Sequence, residues 1–330
     1  EKVARNRDEI FDLHAGAIRW LEEYTGIDYP FQKFGFVLIP PFQFGGMEPP
    51  GAVTYRASSL LLEESATQGQ MLGRASLIAH ETAHMWFGDL VTMRWFDDVW
   101  TKEVFANFMA AKIVHPSFPE VNHDLRFLLA HHPSAYGVDR TDGANPIRQP
   151  LDNLKGAGAL YGAIIYQKAP IVMKQLESLV GEEAFRDGMR EYLETFAYGN
   201  ATWPDQIRIL DSRHPSDLST WSRVWVEEPG RPRIEVVPEV DPGGIVTRVM
   251  LRHSDDWGRG LVWPQMLDIH LETSEGGVLR TVDLQGEEGV LEVETPLLRL
   301  DWVIPNASGV EYGLFILDDR SIGSLLNGVG

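Results

Sequence analysis

The sequence predicts an α+β protein, a mainly helical first part followed by a small all-β sandwich. Apolar residues recur at helical spacing through most of residues 1–228, and the texture changes at Glu227-Glu228-Pro229-Gly230-Arg231-Pro232. Beyond that point short alternating runs separated by turn residues replace the helical pattern. A length of 330 residues supports a large core and more than one domain. The expected division is a helical domain over 1–228, a β-sandwich over 229–313, and a terminal strand with a truncated helix over 314–330 that begins a further region.

The elements follow in order. Residues 5–24 carry Ile10, Leu13, Ala17, Leu21 and Tyr24 at helical spacing, and Gly26 suits the stop. Residues 33–39 read as a short buried strand closed by Pro40-Pro41. In the loop over 42–51, Gly45 and Gly46 permit close approach of backbone to a ligand, while Glu48, read alone, is an ordinary loop carboxylate. A strand at 52–56 precedes a helix whose C-terminal half holds His80 and His84. Residues 89–98 form a turn with strand character that leads into a second helix carrying Glu103. Helical patterns recur near 122–131, 158–167, 170–180, 182–197 and 203–210, with the break before Pro170 because proline is favoured in a first turn. His14, His115, His123 and His131-His132 read as solvated positions. In the second part, 234–237, 247–251, 266–271 and 290–293 are strand-like, and no internal repeat is apparent.

The chemistry concentrates at His80-Glu81-Thr82-Ala83-His84. On a helix, residues four apart share a face, so two imidazoles converge on one point, and Glu81 reaches it from one step round. This is the HExxH arrangement, in which two His bind zinc and the Glu is the general base. The flanks, Leu77-Ile78-Ala79 and Met85-Trp86-Phe87-Gly88, are apolar. Polar groups inside such a helix need partners, and a metal supplies one. A hydrolytic zinc site takes three protein ligands and a water. Eighteen residues separate His84 from Glu103, the candidate third ligand.

Composition narrows the class. The net charge of −19 argues against nucleic acid as a partner, since phosphate binding needs clustered cations. With no cysteine there is no disulfide framework and no thiol nucleophile, so zinc must be held by N and O ligands. No apolar run approaches the roughly 20 residues needed to span a membrane.

Taken together, these segments resemble the gluzincin aminopeptidases, the family of aminopeptidase N and of leukotriene-epoxide hydrolase. HETAHMWFGDLVT followed by WFDDVWTKEVFANF parallels the family's HExxH, spacer and ligand Glu. Gly45-Gly46-Met47-Glu48 is similar to its GxMEN exopeptidase signature, Tyr166-Gln167-Lys168-Ala169 to its YxKG segment, and GEEAFRDGMREYLETFAYGNATWPD to the end of its catalytic domain. The chain departs at Pro49 in place of Asn, at Val104 in place of the Gly after the ligand Glu, and at Ala169 in place of Gly.

The resemblance implies a thermolysin-like catalytic domain, one zinc per chain on His80, His84 and Glu103, and Glu81 as base. It implies that Tyr166, otherwise a half-buried helix aromatic, donates to the oxyanion. It further implies that Gly45, Gly46, Met47 and Glu48 bind the substrate, with Glu48 on the α-ammonium. The implied activity is release of N-terminal residues from peptides with a free N-terminus. Epoxide hydrolysis and non-catalytic peptide binding are the alternatives. Family members also carry an N-terminal β-domain and often a C-terminal helical domain, both expected outside these residues.

Overall fold

The computed structural model describes residues 1–243, 245–293 and 299–328. Gly244 and 294–298, within the expected β-sandwich, and 329–330, within the expected terminal helix, lie outside the described residues. The chain is a mixture of helix and strand that joins a largely helical part to a β-rich region.

The helices and strands up to the β-rich region are α1 (Lys2–Thr25), β1 (Phe36–Ile39), β2 (Gly46–Met47), β3 (Val53–Arg56), α2 (Ala57–Leu60), α3 (Gln68–Ala83), β4 (Val91–Met93), α4 (Val99–Val114), α5 (His123–Asp139), α6 (Ala169–Val180), α7 (Glu182–Phe196), β5 (Gly199–Ala201), α8 (Trp203–Asp211) and α9 (Leu218–Glu227). There follow β6 (Pro232–Val240), β7 (Val246–Asp255), β8 (Gln265–Thr273), β9 (Gly276–Leu284), β10 (Glu288–Glu292), β11 (Leu300–Ile304), β12 (Leu314–Ile316) and α10 (Asp319–Gly328). Where a helix was expected over 158–167, the chain instead forms a 3-10 turn at Leu154–Ala159 and a π turn at Ile164–Lys168 that runs into α6. Two compact units result, Glu1–His123 with Arg148–Tyr166 and Val180–Ser219, and Asp124–Ile147 with Gln167–Leu179 and Thr220–Gly330.

In the first unit, α1 stops at Gly26, whose φ of 72° is the left-handed conformation that glycine tolerates. Its inner face, with Ala17, packs on Leu72, Ala75 and Ala79 of α3 and Ala110 and Val114 of α4. Buried Arg74 ties α3 to α1 by donating to Asn6 Oδ1 at 2.8 Å. A capping box starts α3, in which Thr67 and Gln70 exchange side-chain and backbone hydrogen bonds. The small sheet has the order β1-β3-β2, parallel between β1 and β3 and antiparallel between β2 and β3.

His14 is buried rather than solvated, on the same α1 face as Ile10, Ala17 and Leu21. Its ring stacks on Phe36 with centroids 4.4 Å apart. Nδ1 donates to the Ile10 carbonyl at 2.7 Å, which leaves Nε2 to accept from the Tyr55 hydroxyl at 3.1 Å. Burial lowers its pKa to about 4, so the ring is neutral.

In the second unit, two sheets, β10-β7-β6-β12 and β11-β8-β9, contribute alternate residues to one apolar core that includes Ile234, Leu251, Leu267, Ile269 and Val303. His132 is also buried, against the expectation of a solvated position. Among the described residues no helix is long and apolar enough to cross a membrane.

Candidate metal centre and active site

Helix α3 ends just where its ligand-type residues occur. Ala83 is its last residue, His84 is the cap, and the chain turns away through Gly88. At φ 136° Gly88 adopts backbone that side chains avoid, and a Cβ there would lie 3.2 Å from His84 Nδ1. That nitrogen lies 3.1 Å from the Phe87 carbonyl, to which it can only donate, so the lone pair of His84 is on Nε2.

The His80 and His84 rings meet edge to face, with their Nε2 atoms 3.1 Å apart. Burial lowers the pKa of both, that of His80 to about 3, which keeps both imidazoles neutral as metal binding requires. From α4, Glu103 Oε2 comes within 3.7 Å of His80 Nε2 and 4.0 Å of His84 Nε2. A tetrahedral ion with bonds of about 2.0–2.2 Å needs ligand atoms about 3.3–3.5 Å apart, so these three groups fit one with small adjustments. Two further triplets also converge, His80, Glu81 and His84, and Glu48, His84 and Glu103. Asn107, one turn beyond Glu103 on α4, lies close enough to the His80 ring to favour its charged form.

The loop bearing the other candidate residues is pinned from β3. Gly46 and Met47 pair with Tyr55 and Thr54, the Arg56 N–H donates to the Gly45 carbonyl at 2.8 Å, and the Arg56 guanidinium holds the carbonyls of Phe42 and Gln43. Gly45 runs over Leu77 of α3. At Gly46 the backbone presses on the Glu81 carboxylate so closely that a Cβ would overlap it, 2.2 Å from Oε1. Met47 is exposed. Glu48, the next residue, pairs with the Lys102 ammonium, which also lies 3.5 Å from Glu103 Oε1.

Carboxylates outnumber cations here. Burial pushes Glu81 up to about 8, and Glu48 and Glu103 add to the rise while Lys102 opposes it. Asp89 rises to about 7 for the same first reason, with Glu48 adding to it. Burial would also raise Glu48, but the Lys102 ammonium bonded to it opposes this and holds that carboxyl below the usual carboxylate range. Lys102 is held above the usual ammonium range by Glu48 and Glu103, against its burial. Tyr166, in the π turn, is half-buried; burial first, then Glu103, Tyr161, Glu48 and Glu81, raise its hydroxyl well above the ordinary value.

The structure thus gathers His80, His84, Glu103, Glu81 and the Gly45–Glu48 loop, with Tyr166 in the field of the same carboxylates. Sequence reasoning missed Lys102, Asp89, Tyr161 and Asn107. Lys102 had one signal, its place next to the candidate ligand Glu103.

Residues 10–225 match the peptidase family M1 domain. Among curated relatives, "Probable aminopeptidase 1" of Sulfurisphaera tokodaii is 37% identical over 224 residues, 68% of this chain and 28% of that protein. "Leucyl aminopeptidase" of Saccharolobus solfataricus is 34% identical over 235 residues, 71% of this chain and 30% of that protein. "Aminopeptidase N" of Lactobacillus helveticus is 30% identical over 314 residues, 94% of this chain and 37% of that protein. The chain therefore spans roughly a third of the length of the relatives it matches.

Proposed function

We propose, because this chain belongs to peptidase family M1, that it carries the catalytic centre of a zinc aminopeptidase that releases residues from free peptide N-termini. The observation that carries this reading is the pair of neutral imidazoles with Nε2 atoms 3.1 Å apart and the Glu103 carboxylate closing on both. In the fold reading, 1–228 is a thermolysin-like catalytic domain and 229–313 a β-sandwich.

Zinc, one ion per chain, would be held by His80, His84 and Glu103 and would supply a Lewis acid that polarises the scissile carbonyl and acidifies the attacking water. Glu48 is committed to Lys102 and Glu81 lies against the Gly46 backbone, which favours Glu103 as the carboxylate ligand. Glu81 then serves as base: it takes the proton of the attacking water and passes it to the leaving amine. Its high pKa reflects burial among other carboxylates, and a nearby dication draws it down towards a working value. The Tyr166 hydroxyl, kept protonated by its surroundings, donates to the oxyanion as it forms.

Glu48, ionised at every working pH, accepts the substrate's α-ammonium, and Gly45, Gly46 and Met47 supply the adjoining backbone. That contact counts residues from the N-terminus and makes the activity an exopeptidase one. The relatives' names, all aminopeptidases, favour peptide over epoxide as substrate.

The test is hydrolysis of a panel of peptides offered with free and with acetylated N-termini. The free forms should be cleaved at least tenfold better in kcat/KM, because a partly desolvated charged hydrogen bond is worth about 1.5–3 kcal/mol. Equal cleavage of both forms would refute the exopeptidase reading.

A further inference from the structure

Glu48 stands at the point where the site must choose between three cations. Its carboxylate can meet the substrate's ammonium, the Lys102 ammonium, or the ion between the histidines, since its oxygen converges with His84 and Glu103 as a metal ligand would. A carboxylate with only 13% of its side chain exposed does not stay unpaired. Given free choice it would move to the strongest charge, a dication, and close the position that substrate needs.

Little in its own loop prevents this. Glu48 is followed by Pro49-Pro50, and neither proline has an N–H to offer a carboxylate. The restraint comes from α4. Lys102, with 18% of its side chain exposed, places its ammonium on Glu48 Oε1 and 3.5 Å from Glu103 Oε1, between the two carboxylates. Oε1 of Glu48 is thereby taken.

We propose that Lys102 is the positioning residue of the amine receptor, holding one oxygen of Glu48 so that the carboxylate stays off the metal position and offers its other oxygen to the substrate's α-ammonium. The inference rests on the aminopeptidase reading and deepens it by naming what sets the receptor. A competing role is conceivable on charge alone, in which Lys102 repels the incoming ammonium and its removal would tighten amine binding. The short reach from Glu48 to the metal position decides against it, because a released Glu48 finds the ion before it finds the substrate.

The experiment compares wild type, Lys102→Met, Lys102→Arg, Glu48→Gln and the Lys102→Met/Glu48→Gln pair. Three readouts apply: the kcat/KM ratio for free over acetylated peptides, calorimetric binding of leucinamide in a Glu81→Gln background, and the rate of zinc loss to a chelator. Lys102→Met should lower the ratio about tenfold, mostly through KM, and weaken leucinamide about tenfold. It should also slow zinc loss several-fold, because Glu48 joins the ion. Lys102→Arg should stay near wild type on all three. Adding Glu48→Gln to Lys102→Met should abolish the slower zinc loss, which a mere loss of positive charge would not do.

An unchanged or increased ratio in Lys102→Met would overturn the proposal, as would slower zinc loss that persists in the double variant. If wild type prefers free amines and Glu48→Gln loses that preference while Lys102→Met keeps it, the inference alone fails. If wild type shows no preference, the aminopeptidase reading fails and the inference with it.

Discussion

Two regions of this chain are each built round a lysine on a carboxylate, and they differ in what surrounds the pair. In the second unit, Lys168 and Asp139 are both 0% exposed, 2.8 Å apart. Lys168 also donates to the Gly230 carbonyl at 2.7 Å, and the Tyr312 hydroxyl donates to Asp139 at 2.9 Å. One charge answers one charge. In the first unit, the Lys102 ammonium faces Glu48 and Glu103 directly, with Glu81 and Asp89 close enough to be perturbed by the same charges. The first arrangement sets one cation against one anion inside the core. The second has more carboxylates than cations, an arrangement that suits the metal and the α-ammonium of the proposed function.

The largest effect should come from breaking the closed pair. Lys168→Met leaves Asp139 charged with no counter-ion and should cost about 3–5 kcal/mol in denaturant unfolding. Lys168→Met/Asp139→Asn should recover most of that loss. Lys102→Met should cost far less, since its pair is partly exposed and Glu48 has other cations to meet. Equal losses for the two lysines would abolish the distinction.

Glu81→Gln makes the complementary test in the open region. It should lower kcat at least about a hundredfold with zinc content unchanged, because an amide cannot accept the proton. It should not destabilise the metal-free protein, since it removes one of several crowded carboxylates. Activity within tenfold of wild type would take Glu81 out of the mechanism.

Next in size is a pH effect away from the site. His14 ionises near 6.5 when unfolded and near 4 when folded, so between those values the unfolded chain binds more protons and stability falls as pH falls. The share of His14 in the loss from pH 6.5 to 4.5 should be on the order of 2 kcal/mol, and His14→Gln should remove that share while buried His132 and His253 keep theirs. A wild-type and variant pair with the same pH dependence would contradict the neutral, buried ring.

The smallest expected effect is at Gly46. A Cβ there would meet the Glu81 carboxylate, so Gly46→Ala must push the base aside and should lower kcat about tenfold with little change in the unfolding midpoint. Wild-type kcat would mean that the loop yields instead of Glu81.

The contrast also explains what could be read from the sequence. The i,i+4 spacing of His80 and His84 is local, so their convergence was legible, and the amphipathic spacing of α1 and the Gly26 stop were too. Strand β8 alternates along its whole length and β6 and β7 along most of theirs, because one face of each is buried. Strand β9 is exposed along most of its length, so it carries no such pattern. The 154–168 region failed for a related reason: 3-10 and π turns rich in glycine have no 3.6-residue period to recognise. The burial of His14 could have been inferred from its place on the Ile10–Ala17–Leu21 face. The two lysine pairs could not, because each joins residues tens of positions apart, and nothing local marks one lysine as closed and the other as open.

Zinc stoichiometry across single variants of the purified protein separates the ligands from the base. Wild type, Glu81→Gln and Glu48→Gln should each hold about one zinc per chain, while His84→Ala and Glu103→Ala should hold almost none. Stoichiometric zinc in Glu103→Ala, or its loss in Glu81→Gln, would contradict the assignment of ligand and base.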